Sequence, residues 1–110
     1  MAVDQKALAI GTINSVSQTA IFTNIDDVRI QPLLVLTNAS SSIINVSIYI
    51  NSGSGIFLFD KKPLPAGVGL STFCDKLANL RLNQGFTILL QADSANLFNY
   101  FLSGVQFDFT

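Results

Sequence analysis

The chain has 110 residues and a mass of 11.8 kDa, which is the usual size of one domain. Its six basic and seven acidic residues make up 12% of the chain and leave a net charge of −1, about half the charged share of an ordinary soluble domain. Such a weak field excludes electrostatic capture of nucleic acid or of an anionic membrane. We therefore expect neither among the partners.

The composition favours strands. Glu, His and Trp are absent, and the polar positions are filled mainly by Asn, Ser and Thr, which suit turns and pleated surfaces. Helical surfaces are normally built with Glu, Lys and Ala, because straight-chain residues lose little freedom there. The composition therefore indicates an all-β protein.

Short apolar stretches alternate with turn-forming clusters at the spacing of a β-sandwich or jelly roll. We predict a single antiparallel β-sandwich, jelly-roll-like, of about eight strands. It forms one domain over residues 1–110, with 1–27 as the place for an N-terminal arm if the domain has one. In chain order the candidate strands are 6–13, 18–23, 28–37, 43–50, 55–60, 69–73, 77–82, 86–92 and 97–109. Glycine-containing turns are predicted at 51–55, 64–67 and 83–85.

The strand 43–50 has the clearest pattern, because apolar and polar residues alternate with the period of two that marks one buried face. The Ser-rich run 38–42 before it predicts a hairpin with the strand 33–37. Pro32 has no N–H for a ladder, so we expect it at an edge or a bulge. The predicted core-facing residues of 43–50 are Ile44, Val46, Ile48 and Ile50.

In two further segments the apolar pattern does not fit a regular strand. In 75–82, Leu77 and Leu80 recur at helical spacing, but the segment is only about two turns long, so we favour a strand entered through a turn. In the last strand the apolar phase changes at Gly104. A bulge there would place all six apolar residues on one side. These residues are Phe98, Tyr100, Leu102, Val105, Phe107 and Phe109.

Some strands are apolar at consecutive positions, as in 33–36, 56–59 and 88–90. A two-sheet sandwich buries one face of each strand, so the other face needs cover as well. A homo-oligomer is the simplest cover. We expect whichever of Phe57 and Phe59 faces away from the core to contribute to that contact.

The residues that carry most enzymatic chemistry are missing. With no His and only one cysteine, neither a catalytic triad nor a thiol–imidazole pair can form. All seven Asp lie in or beside predicted turns or tails, and Asp26-Asp27 lacks the alternating spacing of a calcium loop. Cys74 fits a buried, inert thiol. We predict no catalytic, cofactor-binding or metal-binding residue, no cofactor, and no enzymatic activity.

The order of several segments carries a resemblance. A leucine-rich strand ending in Thr-Asn (33–38) precedes a Ser-rich turn, the alternating strand 43–50, Pro-Leu-Pro-Ala-Gly (63–67) and Leu-Arg-Leu-Asn-Gln-Gly (80–85). Together they resemble the small β-sandwich virion proteins of tailed bacteriophages, which are head decoration (cement) proteins and tail or fibre components. The resemblance covers roughly residues 28–103.

The resemblance implies a structural virion protein, made in the host cytoplasm and located in the virion. We expect a capsid decoration (cement) protein that stabilises the head lattice. Its partners would be the major capsid protein or other virion proteins and further copies of itself, with a trimer favoured by the resemblance.

Two alternatives stay open. One is a tail or fibre component with a glycan- or receptor-binding β-sandwich, for which the best cluster is Asn96, Phe98, Asn99 and Tyr100. The other is a secreted or pilus-like subunit. The start of the chain lacks the layout of a signal peptide, which weighs against the second.

Overall fold

The structure is a computed structural model that describes residues 2–66 and 71–108, and at 2–4 and 108 only the course of the backbone. The described residues form eight strands and one short 3₁₀ helix, Leu77–Asn79. The strands are β1 (Ala2–Ile13), β2 (Thr19–Thr23), β3 (Arg29–Asn38), β4 (Ile44–Asn51), β5 (Ile56–Leu64), β6 (Ser71–Phe73), β7 (Thr87–Ala92) and β8 (Phe98–Asp108).

The strands form two four-stranded antiparallel sheets. The front sheet has the order β1-β8-β3-β6, and the back sheet has the order β2-β7-β4-β5. The predicted all-β sandwich of about eight strands is confirmed. Within the described ranges, no helix is long and apolar enough to cross a membrane.

The core lies between the sheets and is built by alternation. In β3 every second residue from Ile30 to Asn38 is buried, and β4 repeats this pattern from Ile44 to Ile50. Since the two strands belong to different sheets, they line the same core from opposite sides. The predicted inward face of 43–50 is confirmed.

The predicted hairpin between 33–37 and 43–50 is wrong. The Ser-rich connection is an arch that carries the chain from the front sheet to the back sheet. Asn38 holds it, because its buried Nδ2 donates to the carbonyls of Ser42 (2.7 Å), Leu64 (3.3 Å) and Pro65 (3.1 Å). Its Oδ1 accepts from the backbone N–H and the hydroxyl of Ser40, both at 2.8 Å.

A second arch, between β2 and β3, is built in the same way. Asn24 is also buried, and its Nδ2 donates to the carbonyls of Val28 and Leu82, each at 2.9 Å. Its Oδ1 accepts from the N–H of Asp26 at 3.2 Å. The chain therefore crosses between the sheets twice at a Thr-Asn pair, once in each direction.

Pro32 lies within β3 and causes no bulge, because the β3–β8 register is continuous around it. The backbones of Ile30 and Leu34 bond to Leu82 and Cys74 on the side away from β8. The backbone nitrogen of Pro32 faces the same side. The strand β6 does not reach this position, because β6 pairs only with residues Val35 to Thr37. Since β3 is an inner strand of the front sheet, the prediction of an edge or a bulge is wrong, and Pro32 is accommodated because no strand of the described ranges pairs with it on this side.

The predicted strand 77–82 is wrong. Its first part is the 3₁₀ helix, and only Leu82 makes a bridge, with backbone bonds to Ile30 of 2.7 and 3.1 Å. Leu77 and Leu82 are both fully buried. A helical turn followed by extended chain lets both side chains enter the core at the end of the front sheet.

The predicted bulge at Gly104 is also wrong. The irregularity lies in β1, between Ala7 and Ala9, and β8 runs straight. Val105 therefore points away from Phe98 and Leu102, as does Phe107, whereas Phe109 lies outside the described residues. A Cβ on Gly104 would approach Ile30 Cγ2 to 2.7 Å and Leu8 Cδ1 to 2.8 Å. The glycine gives these two side chains room.

The predicted turns at 51–55 and 83–85 are confirmed. Gly53 and Gly85 have φ of 91° and 88°, in the left-handed region that glycine tolerates best. The turn that was expected to end at Gly67, and the first two residues of the predicted strand 69–73, lie outside the described residues.

Candidate docking surface

The residues singled out from the sequence for binding do not form a common site. Phe98 is completely buried, and the Tyr100 ring lies over Gly11, where an added Cβ would approach its hydroxyl to 2.6 Å. Asn99 accepts a hydrogen bond from Thr12 Oγ1 at 2.8 Å on the opposite face of β8. Asn96 bonds to Ser94 in the preceding loop. The cluster therefore presents no exposed pair of aromatic rings.

Of the two phenylalanines in β5, Phe57 is the exposed one, at 58%, whereas Phe59 packs against the core. Phe57 pairs with the buried Ile50, so it lies on the inward side of β5 at its uncovered end. Phe59 is the extra residue of a bulge, since the register passes from Asp60 directly to Leu58.

Acidic and sulfur-containing groups are dispersed. Among the described residues, no group of three or more His, Cys, Asp or Glu is placed to hold a metal ion. Asp26 and Asp27 are exposed in the loop after β2. Cys74 is buried, and burial raises the pKa of its thiol to about 12. This thiol stays protonated and unreactive at neutral pH.

The most conspicuous surface feature is a row of apolar side chains across the outer face of the front sheet. Residues paired directly across antiparallel strands share a face. Ile10 pairs with Phe101, Phe101 with Val35, and Val35 with Phe73. Ile10 is 75% exposed. We call these four residues the apolar ridge, and it spans all four strands of the sheet.

The ridge is flanked by rows of mostly small side chains. On one side lie Thr12, Asn99, Thr37 and Ser71, and on the other lie Ala7, Ser103 and Leu33. Open concavities occur on both sides. One, of about 360 Å³, is bordered by Thr12, Asn99 and the ridge. The other, of about 170 Å³, lies between Ala7 and the ridge. The ridge therefore has a concavity on each side of it near β1 and β8.

This face is almost free of charge. The row beyond Ala7, Ser103 and Leu33 contains only uncharged residues, namely Gln5, Val105 and Gln31. Among the described strand residues of this face, charge enters at the far end, where Arg29 pairs with Phe107 and the Arg81 guanidinium lies 5.4 Å from the centre of the Phe107 ring. Asp75 and Lys76 are exposed in the turn after β6. Contiguous exposed apolar surface of this kind usually marks a site of protein contact.

The outer face of the back sheet is mixed. An apolar row also spans its four strands and runs through Ala20, Leu89, Tyr49 and Leu58. Beside it lies an open concavity of about 500 Å³ lined by Asn45, Lys61, Asp93 and other polar residues. Asn45 donates its N–H and its side-chain amide to Asp93 at 3.0 and 2.8 Å. These bonds hold the pKa of the Asp93 carboxyl below its usual value.

Sequence reasoning missed the ridge. Each member stands at an outward position of its own strand, between inward residues, and this phase is readable from the sequence. The alignment of the four strands is not, because register depends on pairing between distant segments. The Thr-Asn pairs at both arches were the more visible signal, since each ends an apolar strand.

No protein-family model matches the chain, and no curated protein sequence matches it. Two solved structures are similar in fold. One is a subunit from the Bacillus endospore appendages, described as a novel family of disulfide-linked pili, with a TM-score of 0.61 and 12% identity over 98% of this chain and 89% of that one. The other is the Yersinia pseudotuberculosis-derived mitogen, with a TM-score of 0.51 and 15% identity over 99% and 89%. At these identities the likeness shows the fold alone.

Proposed function

We propose that the chain is a structural virion protein that decorates the head lattice of a tailed bacteriophage and stabilises it. The observation that carries an assembly role is the alignment of exposed and half-buried apolar side chains into one row on each outer face of the sandwich. A subunit with two such faces is suited to contact neighbours on two sides. The resemblance of residues 28–103 to small phage virion proteins supports the choice of a virion.

The energetic basis is apolar burial. Contacts with several capsid proteins remove apolar surface from water at roughly 25 cal/mol per Å², before the entropic cost of docking. Each contact is modest, but it is repeated over the whole lattice. On this proposal the partners are the major capsid protein and further copies of the chain, and the location is the virion.

Quantitative mass spectrometry of purified particles tests the proposal. We expect copies in proportion to the capsid lattice, and particles that lack the protein should release DNA at a lower temperature, with recovery when the purified protein is added back. Absence from the particles, or only a few copies in each, would remove the decoration role.

A filament subunit is the second candidate. It is supported by the fold shared with a pilus protein over 98% of this chain. That protein belongs to pili described as disulfide-linked, whereas the only cysteine here, Cys74, is buried and holds its proton to a pKa of about 12. Any filament would therefore depend on non-covalent contacts. Electron microscopy of assemblies purified from the source separates filaments from icosahedral particles.

A glycan-binding tail or fibre component has less support. Of the cluster expected for it, Phe98 is buried and Tyr100 packs against the core. The polar concavity of the back face is the better place for a sugar, because Asn45, Lys61 and Gln91 offer hydrogen-bonding groups there. Glycan-array signals that disappear on Lys61→Ala would favour this role over decoration.

A further inference from the structure

We propose that the outer front face binds the same face of a second copy of this chain, in a two-fold pair with the apolar ridge of each copy seated on the Ala7, Ser103 and Leu33 row of the other. The inference rests on the proposed role of this face as a docking surface, and it names the partner. Three properties of the face support it: shape, charge and area.

Shape provides the first argument. The two-fold axis of the pair runs parallel to the ridge, and thus across the strands, midway between the ridge and the row of Ala7, Ser103 and Leu33. Rotation about this axis places the ridge of each copy on that row of the other copy. Because this rotation keeps each strand opposite its own counterpart, Ile10 then faces Ala7 of the second copy and Phe101 faces Ser103 of the second copy. Large side chains meet small ones at these two positions, and at the third Val35 meets Leu33 of the second copy in an apolar contact. The face is thus complementary to itself, which a two-fold contact requires.

Charge provides the second argument. The four rows that overlap in this arrangement contain no charged residue among their described members. The polar row of Thr12, Asn99 and Thr37 comes to lie on the row of Gln5, Val105 and Gln31, where amides and hydroxyls can pair. Since the rotation reverses the strand direction, the Arg29 ends of the two copies lie at opposite ends of the pair. No like charges meet.

Area provides the third argument. Two of the four rows span four strands and two span three, because β6 ends at Phe73; with rows about 7 Å apart and strands about 4.8 Å apart, they cover roughly 450 Å² on each copy. The total of about 900 Å² falls in the range of weak, transient interfaces. The pair should therefore form at micromolar concentration and not at nanomolar concentration.

Sedimentation velocity between 1 and 100 µM tests the inference. We expect the wild type to approach twice the chain mass of 11.8 kDa. Ile10→Lys should weaken association by about 100-fold, because it places an ammonium group in an apolar contact. Ile25→Lys is the matched control. Ile25 is 76% exposed against 75% for Ile10, but it lies in the loop after β2, so this variant should associate like the wild type.

Two further variants test the geometry. Phe73 lies on β6, about 14 Å across the sheet from β1, so Phe73→Lys should also weaken a face-packed pair, whereas a pair joined through the β1 edges would survive it. Mixing Ile10→Lys with Ala7→Asp should restore association, because the new lysine then faces the new aspartate while Ala7 and Ile10 meet at the symmetry-related contact.

A wild-type monomer at 100 µM, a trimeric mass, equal behaviour of the Ile10 and Ile25 variants, survival of the Phe73→Lys pair, or failure of the mixture would each overturn the inference. The outcomes also separate it from the proposed function. A pair in solution with no copies in virions leaves this inference standing and removes the virion role. A copy number in virions that is proportional to the capsid lattice, together with a monomer in solution, would support the virion role and overturn this inference.

Discussion

The two outer faces of the sandwich contain similar residue types in different arrangements. On the front face, apolar residues of all four strands align into one ridge with uncharged rows on both sides. On the back face, the apolar row through Tyr49 and Leu58 lies beside a polar concavity with Lys61 and Asp93. Both rows are aligned by register across four strands. The comparison teaches that the residues beside the row, uncharged on the front face and charged on the back face, distinguish a surface suited to self-association from one suited to other partners.

The largest expected loss of stability is at the arch between β3 and β4, which connects the two sheets. Asn38→Ala should lower the free energy of unfolding by about 3 kcal/mol, because it removes a buried amide and leaves several backbone groups of the arch without partners. Urea unfolding measures the loss. Asn45→Ala is the control, since Asn45 is exposed on the back face. Equal losses for the two variants would contradict the role given to Asn38.

A smaller effect is expected beneath the front face. Gly104→Ala should cost about 1–3 kcal/mol, because its Cβ would lie 2.7 Å from Ile30 and 2.8 Å from Leu8. Gly55→Ala, in the turn before β5, is the control, since its Cβ would meet only the Phe57 ring, at an ordinary 3.7 Å. Thermal unfolding compares the two variants. An unchanged melting temperature for Gly104→Ala would show that Ile30 and Leu8 move aside at little cost.

The third prediction concerns Cys74, which points inward directly after the outward Phe73. Burial raises the pKa of this thiol in the folded protein to about 12, against 9.0 for a solvent-exposed thiol. Between these pH values the unfolded chain binds fewer protons, so stability should fall as pH rises, by about 1.4 kcal/mol per pH unit.

Urea unfolding at pH 8, 9 and 10 measures this dependence: the stability contributed by the protonated thiol should be complete below pH 9 and should decline above it. Cys74→Ala lacks the thiol and should lose the same pH dependence. Lys62 stays mainly protonated over this pH range, because the hydrogen bond from its ammonium to Asp75 at 2.7 Å raises its pKa. A wild-type slope identical to that of Cys74→Ala would show that the thiol ionises freely in the fold.

The smallest effect is expected on the back face. Leu58→Lys replaces a half-exposed side chain of an edge strand, so it should change stability by less than about 0.5 kcal/mol. It should also leave the front-face pair unchanged in sedimentation. Loss of the pair on this substitution, with Ile10→Lys without effect, would exchange the roles of the two faces.

Much of the architecture was readable from local pattern. Alternation in 43–50 predicted the buried side of β4, and glycine in turns predicted the loops at 53 and 85. The errors lie where two patterns fit equally well. A Ser-rich turn serves a hairpin or an arch, and the phase change in the last strand fits a bulge in β8 as well as a straight β8 beside a bulged β1. Leu77 and Leu80 fit a strand or a short helical turn.

The sequence by itself determined the class of the protein: an all-β sandwich with a thin charge, because strand alternation and turn chemistry are properties of neighbouring residues. It also determined that apolar side chains would remain outside the core. Only the tertiary structure decided which of them stand together. Ile10 and Phe101 are 91 positions apart in the chain, and they become neighbours through the pairing of β1 with β8. That pairing depends on the free energy of the whole sandwich, which no local segment contains.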